Sequence, residues 1–191
     1  MSLKKLFRKQ IDKHFATDHA LREKHVINDF CWFLPTGLAP LVVASFAIYP
    51  HSWIWLLIYL GYMWLIFAPH ELGFLCVYCP YYRQEKGLTV KCKSLWGPSK
   101  VLRPKIGPMT KVDQVFFWIA SFIATFFPMY WLVQEIDLLV LYWLTWLIMI
   151  WTLAKYECNQ CLHFHCPGNI VPEEKREEYL RTHGKDLGRS V

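Results

Sequence analysis

Long apolar runs alternate with short polar ones along this chain. No Asp, Glu, Lys or Arg interrupts Phe30 to Tyr49, Trp53 to Pro69, Gln114 to Gln134 or Leu138 to Ala154. A helix of about 20 apolar residues crosses the ~30 Å of hydrocarbon in a bilayer. Each run is that long or nearly so, and each predicts a transmembrane helix. The other assignment, four helices buried in a soluble bundle, would need consecutive helices with no polar face, and soluble helices keep one. Short polar links join the helices in pairs. Pro50-His51-Ser52 separates the first two, and a turn from about Gln134 to Asp137 separates the last two.

The remaining segments are polar and patterned. Residues 2 to about 26 place Leu3, Leu6, Phe7, Ile11 and Phe15 at helical spacing, with Lys4, Lys5, Arg8, Lys9 and Lys13 between them. This predicts an amphipathic helix lying on an anionic leaflet. Asn28-Asp29 is placed to cap the first span, and Pro35, Gly37 and Pro40 predict a bend early in it or the replacement of its first turn. Thr110-Lys-Val-Asp113 is a capping-box pattern opening the third span. Gly87, Gly97, Pro98, Pro104, Gly107 and Pro108 predict only short elements in the loop from about His70 to Val112. Pro172 followed by Glu173 and Glu174 predicts a short helix reaching Leu180, with frayed chain from Thr182 onward.

Composition and charge sharpen this picture. The chain is 54% hydrophobic and 17% aromatic, too apolar for an ordinary soluble domain of 191 residues. All 21 Lys and Arg lie outside the apolar runs, and neither hairpin turn contains one. By the positive-inside rule, the N-terminal segment, the central loop and the tail are cytoplasmic. The same rule accounts for the net charge of +6, so basicity gives no argument for nucleic-acid binding. No signal-peptide h-region and cleavage site follow the basic N-terminus. No ionisable side chain interrupts an apolar run, which argues against an ion or proton transporter.

The two halves share a layout. Asp29 precedes Cys76 by 47 positions, and Asp113 precedes Cys158 by 45. Each half enters the membrane, turns, returns and delivers a C-x-x-C at its exit. The expected fold is thus an all-α integral membrane protein, a four-transmembrane-helix bundle built from two parallel-repeat hairpins, with a Cys-rich metal-binding cytoplasmic loop and tail. Its segments are a basic amphipathic helix (1–28), hairpin 1 (29–69), a basic Cys-containing loop (70–112), hairpin 2 (113–155), and a Cys/His cluster with polar tail (156–191). Parallel repeats are commonly related by an axis along the membrane normal, which would bring the two C-x-x-C turns together.

Candidate chemistry rests on these cysteines. Cys76 and Cys79 form one C-x-x-C with Cys92 thirteen positions on, and Cys158 and Cys161 form another with Cys166 five positions on. A C-x-x-C turn delivers two thiolates to one point, as tetrahedral zinc or an iron–sulfur cluster requires. His70, His163 and His165 are the histidines close enough in sequence to complete a set. The cytoplasm is reducing, so metal ligation is favoured over disulfides. One partition groups Cys76, Cys79, Cys158 and Cys161. Another makes two sites, each of three cysteines and one histidine. Cys79-Pro80 and Cys166-Pro167 resemble the Cys-Pro endings of ferredoxin motifs, and aromatic surroundings suit a shielded cluster, so an iron–sulfur cluster is the expected cofactor and zinc the alternative.

The expected function is a membrane subunit in electron transfer, between a protein partner on the cytoplasmic face and a lipid-soluble carrier. The deep Tyr59 and Tyr62 are expected to pack between helices, with a pocket for a quinone or a lipid beside them as the alternative. The alternatives are a membrane anchor or assembly protein with structural zinc, and a transferase using Cys166 with His163 or His165 as base. His163-Phe-His-Cys166 invites comparison with the DHHC acyltransferases. However, Asp-His-His-Cys is absent and the cysteines are arranged differently, so that activity is not carried over.

Overall fold

The computed structural model describes residues 21–22, 24–67, 73–74, 76–84, 89–92, 96–100, 102–105, 107, 109–164, 166 and 168–187. Most of these are helical. Helix α1 (Ile27–Ile48) is followed by α2 (Trp53–Gly61), which runs on as a π-helical turn, Tyr62–Phe67. A 3₁₀ turn (Cys76–Tyr78), the short α3 (Pro80–Gln84) and strands β1 (Thr89–Lys91) and β2 (Trp96–Ser99) make up the central loop. Next come α4 (Lys111–Phe126), α5 (Met129–Leu132) and α6 (Ile136–Leu153), the last also ending in a π-helical turn, Ala154–Cys158. A tail helix, α7 (Glu173–Leu187), closes the chain.

Among the described residues, three helical stretches are long and apolar enough to cross a membrane: Ile27–Ile48, Lys111–Leu132 and Ile136–Cys158. The second of the four expected spans appears as a shorter apolar helix, Trp53–Leu65. Large apolar side chains cover the outer faces. Trp32, Phe46, Trp64, Leu65, Trp118, Phe122, Leu147 and Ile148 are all exposed, as helices facing lipid require and a water-soluble bundle would not tolerate.

Packing exchanges partners between the hairpins. The most extensive helix contact is α1 against α6, while α4 packs on the π-helical end of α2. Pro40, Val43, Ala44, Ala47 and Ile48 form the buried stripe of α1. The two alanines, fully buried, allow close approach. They share a core with Tyr59, Trp131, Leu132 and Tyr142.

Pro128 ends α4. Having no N–H, it leaves the Ala124 carbonyl without its helical donor. The Tyr59 hydroxyl of α2 donates to that carbonyl at 3.3 Å, and Tyr142 of α6 donates to the adjacent Thr125 carbonyl at 2.8 Å. Tyr62 donates to the Ala120 carbonyl at 2.9 Å. The deep tyrosines therefore bond the backbone of α4, at and near its break.

Several sequence expectations are corrected. Residues 21–26, where described, are not helical, and Arg22 instead pairs in parallel with Cys161. The rest of the expected N-terminal helix lies outside the described residues. Helix α1 starts earlier than Asn28-Asp29 would set it. Val26 is its N-cap, and Asp29, third in the helix, accepts from the Val26 N–H at 3.0 Å. A valine side chain has no acceptor, so only this half of a capping box forms. Both prolines lie within α1 and do not replace its first turn, since the helix starts at Ile27 and runs through them. Thr110 does cap α4, accepting from the Asp113 N–H at 3.1 Å. The described elements of the central loop are short, as its glycines and prolines predict, and two of them are strands. β1 and β2 pair antiparallel, Thr89 opposite Ser99 and Lys91 opposite Trp96, with Gly97 at φ +99° where a side chain would be strained. The tail does not fray at Thr182. Its hydroxyl bonds the Glu178 carbonyl at 3.0 Å, and the helix continues to Leu187.

Candidate metal centre

Each cysteine turn follows a helix exit. In the first, the Cys79 N–H donates to the Cys76 carbonyl at 2.9 Å, and the Tyr82 N–H to the Cys79 carbonyl at 3.1 Å, leading into α3. In the second, the Cys166 N–H donates to the His163 carbonyl at 3.0 Å, and the Ile170 N–H returns to the Cys158 carbonyl at 3.2 Å. The two turns repeat one detail. The second cysteine of each C-x-x-C accepts a backbone N–H from two residues on: Cys79 from Tyr81, and Cys161 from His163 at 3.4 Å. Such bonds stabilise thiolate sulfur and tune a bound metal.

The turns meet. Tyr81 is buried, and its hydroxyl joins three segments of the chain. It donates to the Arg22 carbonyl at 2.6 Å and accepts the Leu162 N–H at 3.1 Å. The Arg22 N–H donates to the Gln160 carbonyl at 2.9 Å, inside the second C-x-x-C. The imidazole of His25 stands edge-on to the Tyr81 ring, with centroids 4.5 Å apart.

The sulfurs feel one another. Burial pushes the Cys79 thiol well above its ordinary range, and repulsion from Cys92, Cys161 and Cys76 pushes it the same way. The Cys161 thiol is pushed up to about 12, by burial first and then by Cys166, Cys158 and Cys92, against the pull of the His163 N–H. All six cysteines that flank the spans therefore form one electrostatic neighbourhood. Cys92, which follows β1 directly, belongs to it because β1 packs on α3. Cys31 is exposed in the first turns of α1, outside this group.

Two charged anchors hold the turns to the helices. Asp113 is buried in the first turn of α4; it accepts from the Tyr78 hydroxyl and from Lys105 Nζ at 3.3 Å. This fixes the first cysteine turn to the second hairpin. Asp29 of α1 pairs with Arg22 at 2.9 Å, and Arg22 pairs with Glu157 at 3.3 Å, beside Cys158. That fixes the second turn to the first hairpin. Asn169 secures the loop after Cys161. Its amide donates to the Cys161 carbonyl at 2.8 Å and the His163 carbonyl at 3.1 Å. The tail helix joins through Arg176, whose guanidinium donates to the Phe164 carbonyl at 2.7 Å.

Of the candidate ligands, Cys76, Cys79, Cys92, Cys158, Cys161 and Cys166 are brought together, and His163 is buried next to them. His70 and His165 lie outside the described residues. Among the described residues, no three His, Cys, Asp or Glu side chains stand close enough to grip one ion directly. The sulfurs are neighbours at electrostatic rather than bonding range. In donor chemistry they suit a soft or borderline metal: grouped thiols, N–H bonds to sulfur, and mutual repulsion that a cation would relieve.

Sequence reasoning missed the residues that bring the turns together. Tyr81 carried no signal beyond an aromatic run, Arg22 was one basic residue among many, and Asn169 read as part of a polar turn.

No protein-family model matches the chain, and neither the curated proteins nor the solved structures provide a match to it.

Proposed function

We propose that the chain is a four-span membrane protein with a metal centre at the cytoplasmic end of its bundle, and that it transfers electrons between a soluble partner and a lipid-soluble carrier. The second span is Trp53–Leu65 extended through its π-helical end. The two halves are a repeat about an axis along the membrane normal. Matched features support that symmetry. Both returning helices end in a π-helical turn before a C-x-x-C, and both entering helices carry an aspartate at the third position. Exchanged packing, α1 with α6 and α4 with the end of α2, is what such an axis produces. The basic segments and unbasic hairpin turns support a cytoplasmic loop and tail.

The observation that carries the metal reading is the meeting of the two C-x-x-C turns around Tyr81, with an N–H on the second sulfur of each. Cys76, Cys79, Cys92, Cys158, Cys161 and Cys166 would hold the metal, with His163, His165 and His70 as further donors. An iron–sulfur cluster held there would supply a one-electron couple, tuned by burial and by hydrogen bonds to sulfur. The protein's own part is to shield the sulfurs, orient them through Tyr81 and Asn169, and present cations for docking. Arg103, Lys105 and Lys111 are exposed near the site and suit an acidic partner.

A second reading is supported by the same bonds. Tyr81 ties the N-terminal segment, loop and tail together, as a structural zinc site in an anchor or assembly protein would also do. Metal analysis with an absorption spectrum, on protein purified anaerobically in detergent, separates the two. Iron with acid-labile sulfide and a visible band that bleaches on reduction supports electron transfer. Zinc with a flat visible spectrum refutes it and leaves the scaffold.

A further inference from the structure

The end of α6 that leads into the second cysteine turn carries side chains that the cysteine site does not use. Lys155 Nζ stands 4.8 Å from the ring centroid of Trp151 and 5.4 Å from that of Tyr156. The two rings meet edge to face, with centroids 6.1 Å apart. In an unbroken α-helix, residues five apart point about 140° from one another around the axis, which directs their side chains to different faces. Here the helix passes into its π-helical turn at Ala154. Bonds from i to i+5 take more residues per turn and narrow that angle. The π-helical turn therefore helps to build the group.

Each of the three side chains carries a donor: an ammonium, an indole N–H and a phenol O–H. Among the described residues, none of these donors has an acceptor in the protein. The nearest carboxylate in sequence, Glu157, is held by Arg22 at 3.3 Å. Trp151 and Tyr156 are about half exposed, and so are Leu144, Leu147 and Ile148. These three lie one and two turns deeper in the span, at steps of three and four residues that keep them on the face of Trp151 and Lys155. The face thus reads as three donors above an apolar strip.

We propose that this face binds one anionic phospholipid, with its phosphate on Lys155, Trp151 and Tyr156 and an acyl chain along Leu144, Leu147 and Ile148. Converging donors with no free carboxylate among them suit a phosphate. Lys155 already covers the ring faces that a choline would need. The strip lies within a membrane-crossing helix, where an acyl chain reaches it and an acidic soluble protein does not. The inference goes beyond the electron-transfer reading and needs only that α6 spans the bilayer, so loss of the metal centre would leave it standing. Lys155 precedes Cys158 by three positions, so a bound lipid would steady the exit of α6 into the cysteine turn.

The test is native mass spectrometry of the full-length chain in mild detergent, titrated with phosphatidylglycerol and with phosphatidylcholine of the same acyl chains. We expect the first phosphatidylglycerol to bind about fivefold more tightly than the first phosphatidylcholine, the contribution of one basic residue at a membrane surface. Lys155→Gln removes that preference and Lys155→Arg keeps it. Lys24→Gln, at an exposed cation just before α1, leaves it unchanged. Equal affinity of the wild-type protein for the two lipids would overturn the site. So would an equal loss in Lys155→Gln and Lys24→Gln, which would assign the preference to general positive charge. A soluble polyglutamate that displaces the first phosphatidylglycerol at comparable affinity would overturn it in favour of an acidic protein partner. The comparison of lipids on the wild-type protein requires no variant, so a poorly folded Lys155→Gln does not blunt the test.

Discussion

Asp113 is the most informative residue to perturb. The residue is 8% exposed, and its carboxylate accepts from the hydroxyl of Tyr78, a residue 6% exposed, and from Lys105. Asp113→Ala leaves a buried phenol without its acceptor. A hydrogen bond to a charged group contributes about 1.5–3 kcal/mol. Lys105 adds less, at most about 1 kcal/mol, because its side chain is 48% exposed and the pair is screened. The helix cap does not enter, since the backbone N–H of residue 113 still bonds Thr110. The expected loss is about 2–4 kcal/mol. Asp113→Asn, which keeps an acceptor oxygen, should lose about half of that. The assay is denaturant unfolding in mild detergent, followed by tryptophan fluorescence, on Asp113→Ala, Tyr78→Phe and the double variant. Partners that act as one unit show a coupling of about 0.5–3 kcal/mol. An Asp113→Ala protein within about 0.5 kcal/mol of wild type, or strict additivity with Tyr78→Phe, would refute the anchor.

Three further outcomes follow from the same structure. Ala47→Leu puts a bulky side chain into the fully packed core that α1 shares with Tyr59, Trp131, Leu132 and Tyr142 and should destabilise the bundle by about 1–3 kcal/mol; a neutral result would mean the helices do not pack as described. Tyr59→Phe leaves the Ala124 carbonyl at the Pro128 break without its donor, for a loss of about 0.6–2 kcal/mol in the same unfolding assay, and an unchanged midpoint would count against that bond. His25 gives a pH dependence. Burial lowers its pKa from 6.5, opposed by Glu157 and Asp29 and assisted by Arg22. The unfolded chain therefore takes up the proton more readily, so stability is full above about 6.5 and falls as the pH drops from there toward the lowered value. A thermal-midpoint titration of His25→Gln should lack that slope, and retention of the slope would assign it to another group.

The apolar architecture was legible because lipid-facing helices leave a coarse trace: charge-free runs and basic flanks. Three spans match their runs closely, while the π-helical endings of α2 and α6 leave no mark in hydropathy. The cysteine sets were legible from spacing alone. Their convergence was not, because contacts between distant segments produce it: Tyr81 with Arg22 and Leu162, and Arg22 with Asp29 and Glu157. Asp29 and Asp113 were both marked as caps on local grounds. Their larger task is to hold a cysteine turn of the opposite hairpin, and no local pattern encodes that. The order of the tail beyond Thr182 depends on what α7 packs against, with Tyr179 set edge-on to Phe164 of the cysteine loop.

The exchange of partners between hairpins bears on how the protein is made. Helix α1 leaves the ribosome first, yet its most extensive partner is α6, the last of the apolar helices to be synthesised, and the core that holds Ala44 and Ala47 also takes Trp131, Leu132 and Tyr142 from the second half. Until then its small-residue stripe must be sheltered by the insertion machinery or by lipid. Neither hairpin is therefore a self-sufficient insertion unit. Fragments cut within the central loop should be short-lived when expressed singly and rescued when the two halves are made together in one cell.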